Sequence, residues 1–115
     1  MLFRSHVPGW QNRQQFVRQL AQRVAPGGLL VVACWRFMEY ERFRSRIVPW
    51  PPQMQVEQHD YLLDWRRGER AFRYCHYVDD SEEAALIRAS GLSLIKRYRA
   101  DGTDGRMNVY LVLQR

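Results

Sequence analysis

The sequence predicts an α/β fold: a sheet that holds a parallel strand, ends in an antiparallel hairpin and carries an inserted β-hairpin. Three observations predict it. Residues 12–24 place Phe16, Val17, Leu20, Ala21 and Val24 on one face at helical spacing. Directly behind them, after Ala25-Pro26-Gly27-Gly28, the run Leu29–Trp35 is apolar without polar alternation, the habit of a strand covered on both faces. The last third then returns to helix, glycine, strand, turn, strand.

Length and composition fit one domain. The chain has 115 residues, 46% of them hydrophobic and 26% charged, enough apolar material for a core and too little charge for disorder. The longest apolar run is far shorter than the ~20 residues that cross a bilayer, and the N-terminus has no signal-peptide form. A soluble cytoplasmic protein is expected. Cys34 and Cys75 each sit in a strand-like segment and form no CxxC pair; with His59 and His76 they lack zinc spacing, so reduced core thiols and no metal site are expected. The net charge of +6 permits an anionic partner such as RNA without requiring one.

In the first helix Arg13, Gln15, Arg18 and Gln22 are assigned to the outer side and Asn12 to the cap. The strand at 29–35 needs a neighbour, and the βαβ rhythm asks for one ahead of Met1. Without it, the strand edge predicts dimerisation, poor solubility or coverage by the N-terminal residues. Residues 36–80 differ in composition and read as the insertion. In it, 38–48 predicts a short helix burying Met38, Phe43 and Ile47, ended by Pro49-Trp50-Pro51-Pro52. Residues 61–65 and 71–78 predict two strands joined through Arg66-Arg67-Gly68-Glu69-Arg70. Asp80-Ser81-Glu82-Glu83 has the form of a capping box, with Asp80 as cap and Glu83 reaching back, for a helix over 81–90 that stops at Gly91. Strands at 92–99 and 107–113 follow, reversed through Asp101-Gly102-Thr103-Asp104-Gly105.

This succession resembles the C-terminal half of a class I S-adenosylmethionine-dependent methyltransferase, over nearly the whole chain. The passage Leu20-Ala21-Gln22-Arg23-Val24-Ala25-Pro26-Gly27-Gly28-Leu29-Leu30-Val31-Val32 is similar to the family's entry into its fifth strand. Ser5-His6-Val7-Pro8-Gly9 is similar to the segment after its fourth. Arg73-Tyr74-Cys75-His76-Tyr77 resembles the Arg-Tyr-Tyr-His signature of the branch that methylates carboxymethyluridine at the tRNA wobble position, with Cys75 in place of the second tyrosine. Tyr61-Leu62-Leu63-Asp64-Trp65 matches that branch's Leu-Leu-Val-Pro-Trp motif only in part.

The resemblance implies one partial Rossmann-like domain over 1–115, with 36–80 on the substrate side. It also implies S-adenosylmethionine as cofactor, although the glycine-rich turn that holds it in the family is absent: Gly27-Gly28 lies between helix and strand, Gly102 and Gly105 between two strands. The expected function is the substrate-side half of a methyltransferase, acting on a tRNA nucleoside or a small carboxylate-bearing acceptor and inactive without the cofactor-binding half. The alternative is a non-catalytic module of the same fold that binds RNA or protein. Substrate contacts fall on Trp35, Arg73, Tyr74 and His76, and a cofactor contact on His6. By period-two alternation His76 shares a strand face with Phe72 and Tyr74, and the resemblance aims Tyr74 and His76 into the acceptor pocket. The bland reading is a half-buried hairpin with a satisfied histidine. Arg36, Arg42, Arg44, Arg46, Arg66, Arg67 and Arg70, interleaved with Trp50, Trp65 and Tyr61, read either as an RNA-gripping surface or as a solvated face partnered by Glu39, Glu41 and Glu69.

Overall fold

The computed structural model describes the backbone of residues 2–4 together with residues 6–65 and 71–115. Strand β1 (Leu2–Arg4) leads into helix α1 (Trp10–Gln22) and strand β2 (Leu29–Trp35). A 3-10 turn (Phe37–Glu39), the one-turn helix α2 (Glu41–Arg44) and strands β3 (Ile47–Val48), β4 (Asp60–Asp64) and β5 (Phe72–His76) follow. Helix α3 (Asp80–Ser90) and strands β6 (Ser93–Ala100) and β7 (Asn108–Gln114) complete the order.

Two sheets result. The larger has the order β1-β2-β7-β6, with β1 parallel to β2 and the other pairs antiparallel; the smaller is the antiparallel β3-β4-β5. The neighbour that β2 requires is therefore present twice. Residues 2–4 pair along Val31–Ala33 on one side, and β7 pairs along the full strand on the other, so β2 is central in the sheet. Coverage of that edge by the N-terminal residues is observed over Val31–Ala33. The far edge strand β6 carries a register break between Leu94 and Lys96, an irregularity that with its charges discourages further strand pairing.

Helices α1 and α3 lie on one face of the larger sheet. Leu30, Val32 and Cys34 of β2 and Val109, Leu111 and Leu113 of β7 are buried against Val17 of α1 and Leu86 of α3. The opposite face corrects the expectation of a strand covered on both sides. Leu29 is 45% exposed and Val31, Tyr110 and Val112 are half-buried.

Local chemistry explains where element bounds move. Helix α1 starts two residues early at Gly9, whose φ of +88° suits glycine, and Asn12 does not cap: its side-chain amide donates to the Pro8 carbonyl. Phe16 is 41% exposed, whereas Arg13, assigned to the outer side, is 1% exposed. Arg13 precedes Val17 and Ala21 by one and two turns, so the buried stripe runs through it. Met38 and Ile47 do pack with buried Phe43, but the chain breaks into a 3-10 turn, α2 and β3 where one helix was expected. The cap of α3 is Asp79, accepting from the Glu82 amide at 2.8 Å, one residue before the expected Asp80. Glu83 does not reach back; it receives Arg36 and Arg97. Gly91 ends the helix in the left-handed region, φ +68°. The predicted link 66–70 lies outside the described residues. Among the described residues no helix is long and apolar enough to cross a membrane.

Candidate functional site

A cavity of about 210 Å³ opens at the carboxyl end of β2, where the two sheets meet. Ligand clefts of α/β folds lie outside that end of the parallel strands. β2 supplies Ala33 and Trp35, the segment after β1 supplies His6, and the start of β7 supplies Asn108 beside Met107. The roof comes from Phe43 of α2, Trp65 after β4 and Arg73 of β5. The walls are largely aromatic. Trp35 meets Phe43 edge-on at 4.7 Å between ring centroids and Trp65 at 6.3 Å, and Phe43 stacks on Trp65. The Arg73 guanidinium lies 5.8 Å from the Trp35 ring and 5.5 Å from that of Trp65, over both. Among the described residues no carboxylate is within ion-pair distance of Arg73.

The polar lining is held from behind. Asn108 Nδ2 donates to Asp101 Oδ2 at 2.8 Å, and Tyr110 donates to the same oxygen. The loop before Asn108 is tied to the second-sheet region by Tyr40, whose hydroxyl donates to Asp104 at 2.8 Å, and by the Arg99–Glu39 ion pair. His6 sits edge-on to Trp35 at 6.0 Å, and its Nδ1 accepts from the His76 amide at 3.3 Å.

Alternation along β5 splits the sequence-predicted residues between two sites. Arg73 and Cys75 point to the aromatic side, where Arg73 joins Trp35 and His6 at the cavity. Tyr74 and His76 point to the opposite face and do not line this cavity. They belong to a charge network that joins β4, β5, α1 and α3. His76 Nδ1 is 2.6 Å from Asp60 Oδ1 and its Nε2 is 2.7 Å from Glu82 Oε2. Asp60 also accepts from the Tyr74 hydroxyl at 2.8 Å and the Glu57 amide at 2.9 Å. Arg13 donates to Glu82 at 2.9 Å, Glu57 at 3.2 Å and the Val7 carbonyl at 2.8 Å.

The network shifts its own acids and bases. Burial alone lowers the His76 pKa, but the hydrogen bonds to Glu82 and Asp60 outweigh it and the net shift is upward. Burial raises Asp60, yet the bonds from His76, the Glu57 amide and Tyr74 hold it below the usual carboxylate value. Burial and then Asp60 push the Tyr74 phenol up. Cys34 and Cys75 are free and fully buried; desolvation pushes them to about 12 and about 11. Among the described residues no group of three or more His, Cys, Asp or Glu is arranged to hold a metal ion.

The predicted basic surface is only partly formed. Arg36 is buried against Glu83 and Asp80, while Arg42, Arg44 and Arg46 are exposed, Arg42 over Phe43 at 4.7 Å and Arg46 over Trp65 at 5.2 Å. Trp50 packs on Tyr74 and donates to the Asp60 carbonyl, and Tyr61 packs on Phe37, so neither interleaves with those arginines. Arg66, Arg67 and Arg70 lie outside the described residues. Asn108 and Met107 were not legible as site residues: the sequence shows them only as the start of a strand. Glu82 read as a first-turn acid, and nothing in its spacing pointed to a histidine partner six residues away.

No protein-family model matches the chain, and no curated protein matches it. In three dimensions it is similar to an S-adenosylmethionine-dependent methyltransferase from Methanosarcina mazei, with 15% identity and a TM-score of 0.66 over 98% of this chain and 57% of that one. It is also similar to the CcbJ methyltransferase from Streptomyces caelestis, with 15% identity and a TM-score of 0.58 over 98% of this chain and 58% of that one. The chain thus spans under three fifths of the length of each. At this identity the likeness is one of fold, and the chain has the α/β fold that S-adenosylmethionine-dependent methyltransferases show over that part of their length.

Proposed function

We propose that this chain is the acceptor-side half of an S-adenosylmethionine-dependent methyltransferase, that its cavity takes a planar, anionic acceptor, and that the donor site lies on polypeptide beyond this sequence. The observation that carries the reading is Arg73. A guanidinium over two indoles fills the ring faces that attract a cation and leaves its N–H groups for an anion. A carboxylate between aromatic walls satisfies both the charge and the shape. The half-covered face of the larger sheet agrees with a second half packing there.

The described residues do not fit the cofactor itself. Gly27 and Gly28 belong to the turn before β2: Gly27 has φ +78°, and a Cβ on Gly28 would meet the Ala25 carbonyl at 2.9 Å. Gly102 and Gly105 turn β6 into β7. The turn from parallel strand β1 into α1 holds one glycine, and the helix end behind it is occupied, since the Trp10 amide donates to Glu57 Oε2 at 3.0 Å. No catalytic step is therefore assigned to this chain beyond its part in binding, orienting and desolvating the acceptor.

Within this reading the acceptor is either a small carboxylate or a tRNA nucleoside such as a wobble carboxymethyluridine. Exposed Arg46 over Trp65 and exposed Arg42 over Phe43 favour the nucleoside, because phosphates flanking the base need such cations. They equally support the non-catalytic alternative, an RNA-binding module of the same fold. Benzoate is a suitable probe of the cavity; with nine heavy atoms it is expected to bind at about millimolar Kd. Titration shifts the indole resonances of Trp35 and Trp65 and leaves Trp10 and Trp50 in place, and Arg73→Ala abolishes the effect. Calorimetry with S-adenosylmethionine gives no binding to the isolated chain, and the DNA preceding the Met1 codon encodes a strand followed by a glycine-rich turn. Tight cofactor binding by the chain alone refutes the half-domain reading; unchanged benzoate binding in Arg73→Ala refutes the cavity assignment.

A further inference from the structure

We propose that His76 is a positioning residue for His6: its backbone amide holds His6 on the cavity wall as a neutral imidazole with the proton on Nε2, and its ring anchors that amide. The inference rests on the reading that the cavity takes an anionic acceptor, for which it makes His6 a hydrogen-bond donor and not a general base.

The tautomer follows from the partner. A backbone N–H donates and cannot accept, so His6 Nδ1, 3.3 Å from the His76 nitrogen, presents a lone pair. The ring's proton is then on Nε2. Protonating Nδ1 would set N–H against N–H, so the contact also opposes the imidazolium form. The other histidine is in the reverse condition. A neutral ring has one donor nitrogen, yet both nitrogens of His76 face carboxylates, at 2.6 and 2.7 Å. Only the imidazolium satisfies both.

What fixes the His76 amide is the set of elements that meet on its ring. Asp60 comes from β4 and is itself held by Tyr74 and the Glu57 amide. Glu82 comes from α3 and is held by Arg13 of α1. The ring is 2% exposed, so the end of β5 is pinned at a point that four elements define. One face of β5 therefore carries the clamp while the other carries Arg73 at the cavity, and the strand transmits the position of one to the other.

The test uses the uniformly 15N-labelled full chain and long-range proton–nitrogen spectra of the imidazoles near pH 7, with His59→Gln to assign the third ring. No methyl donor or acceptor is present, so the outcome is independent of whether the chain takes part in methyl transfer. Expected is a His6 ring with Nε2 alone protonated, and a His76 ring with both nitrogens protonated. In Glu82→Gln, His76 loses its second ring proton and the His6 preference gives way to exchange between tautomers. A wild-type His6 that is an imidazolium or averages both tautomers overturns the proposal whether or not the variant folds. A folded Glu82→Gln chain in which His6 keeps its single tautomer while His76 becomes neutral overturns the anchoring role.

Discussion

Replacing Arg13 by methionine removes a cation that joins α1 to both α3 and the segment before β4, while methionine keeps most of the aliphatic volume. The guanidinium is 1% exposed and donates to Glu82, Glu57 and the Val7 carbonyl. The contact with Glu57, itself 40% exposed, contributes little in the presence of solvent. The magnitude comes from Glu82, whose side chain is 17% exposed and which keeps His76 as a partner after the substitution. Breaking a fully buried pair costs about 3–5 kcal/mol, and partial exposure with a remaining partner sets this one near ~2–3 kcal/mol. For a chain of this size that corresponds to a melting temperature lower by about 10 °C. Thermal and urea unfolding followed by circular dichroism measure it. A cycle with Glu82→Gln, which leaves Arg13 facing a neutral oxygen, is expected to show coupling of at least ~1 kcal/mol. A loss below ~1 kcal/mol, or additive single substitutions, refutes the view that this pair locks α1 to α3.

Stability should depend on pH through His76 and Asp60. The folded His76 pKa is raised above the ordinary 6.5, so its contribution is complete below that value and is lost as pH rises through the folded one. Asp60 is held below 3.8, so its contribution is present above that value and is lost as pH falls through the folded one. The urea midpoint is expected to fall as pH rises above 6.5 in the wild type and to change less in His76→Gln; equal slopes would remove His76 as the cause. Gly91→Ala places a side chain at φ +68° with no atom within 4 Å of its Cβ, so backbone strain alone should destabilise by ~1 kcal/mol; a neutral result excludes the left-handed cap. Cys34 and Cys75 should resist alkylation in the native chain and react in urea, since burial holds both thiols protonated. Rapid native labelling of either one contradicts the packing around it.

The order of elements was legible because it depends on local signals: helical spacing in α1, the apolar run of β2, the acidic first turn and Gly91 of α3, and the glycines between β6 and β7. Even so, charge misled at Arg13 and Arg36. Both were placed at the surface because isolated cations avoid burial, yet carboxylates distant in sequence, Glu82 for one and Glu83 for the other, receive them inside. No one-dimensional pattern carries that pairing. The capping box failed for a related reason: Glu83 had two arginines available, and two charge-assisted bonds outweigh one to a solvated amide. At the site, Trp35 and Arg73 were readable as candidates, but the side of β5 that faces the cavity was not. Alternation shows that Arg73 and His76 point oppositely; only the placement of the second sheet against β2 decides which of them meets the cleft.

That choice of side has a chemical logic. Had Tyr74 and His76 faced the cavity, His76 would need its carboxylates there too, and the pocket would hold Asp60 and Glu82 beside any acceptor. An anionic ligand would then meet like charge. The observed arrangement separates the two sides: the face of β5 with His76 between Asp60 and Glu82 is turned into the junction of α1 and α3, where Arg13 also meets Glu82. The face with Arg73, which among the described residues has no carboxylate within ion-pair distance, is turned to the indoles. One strand of five residues thus divides a charge network from the cavity that Arg73 lines, and Asp60 and Glu82, which take part in that network, do not line the cavity.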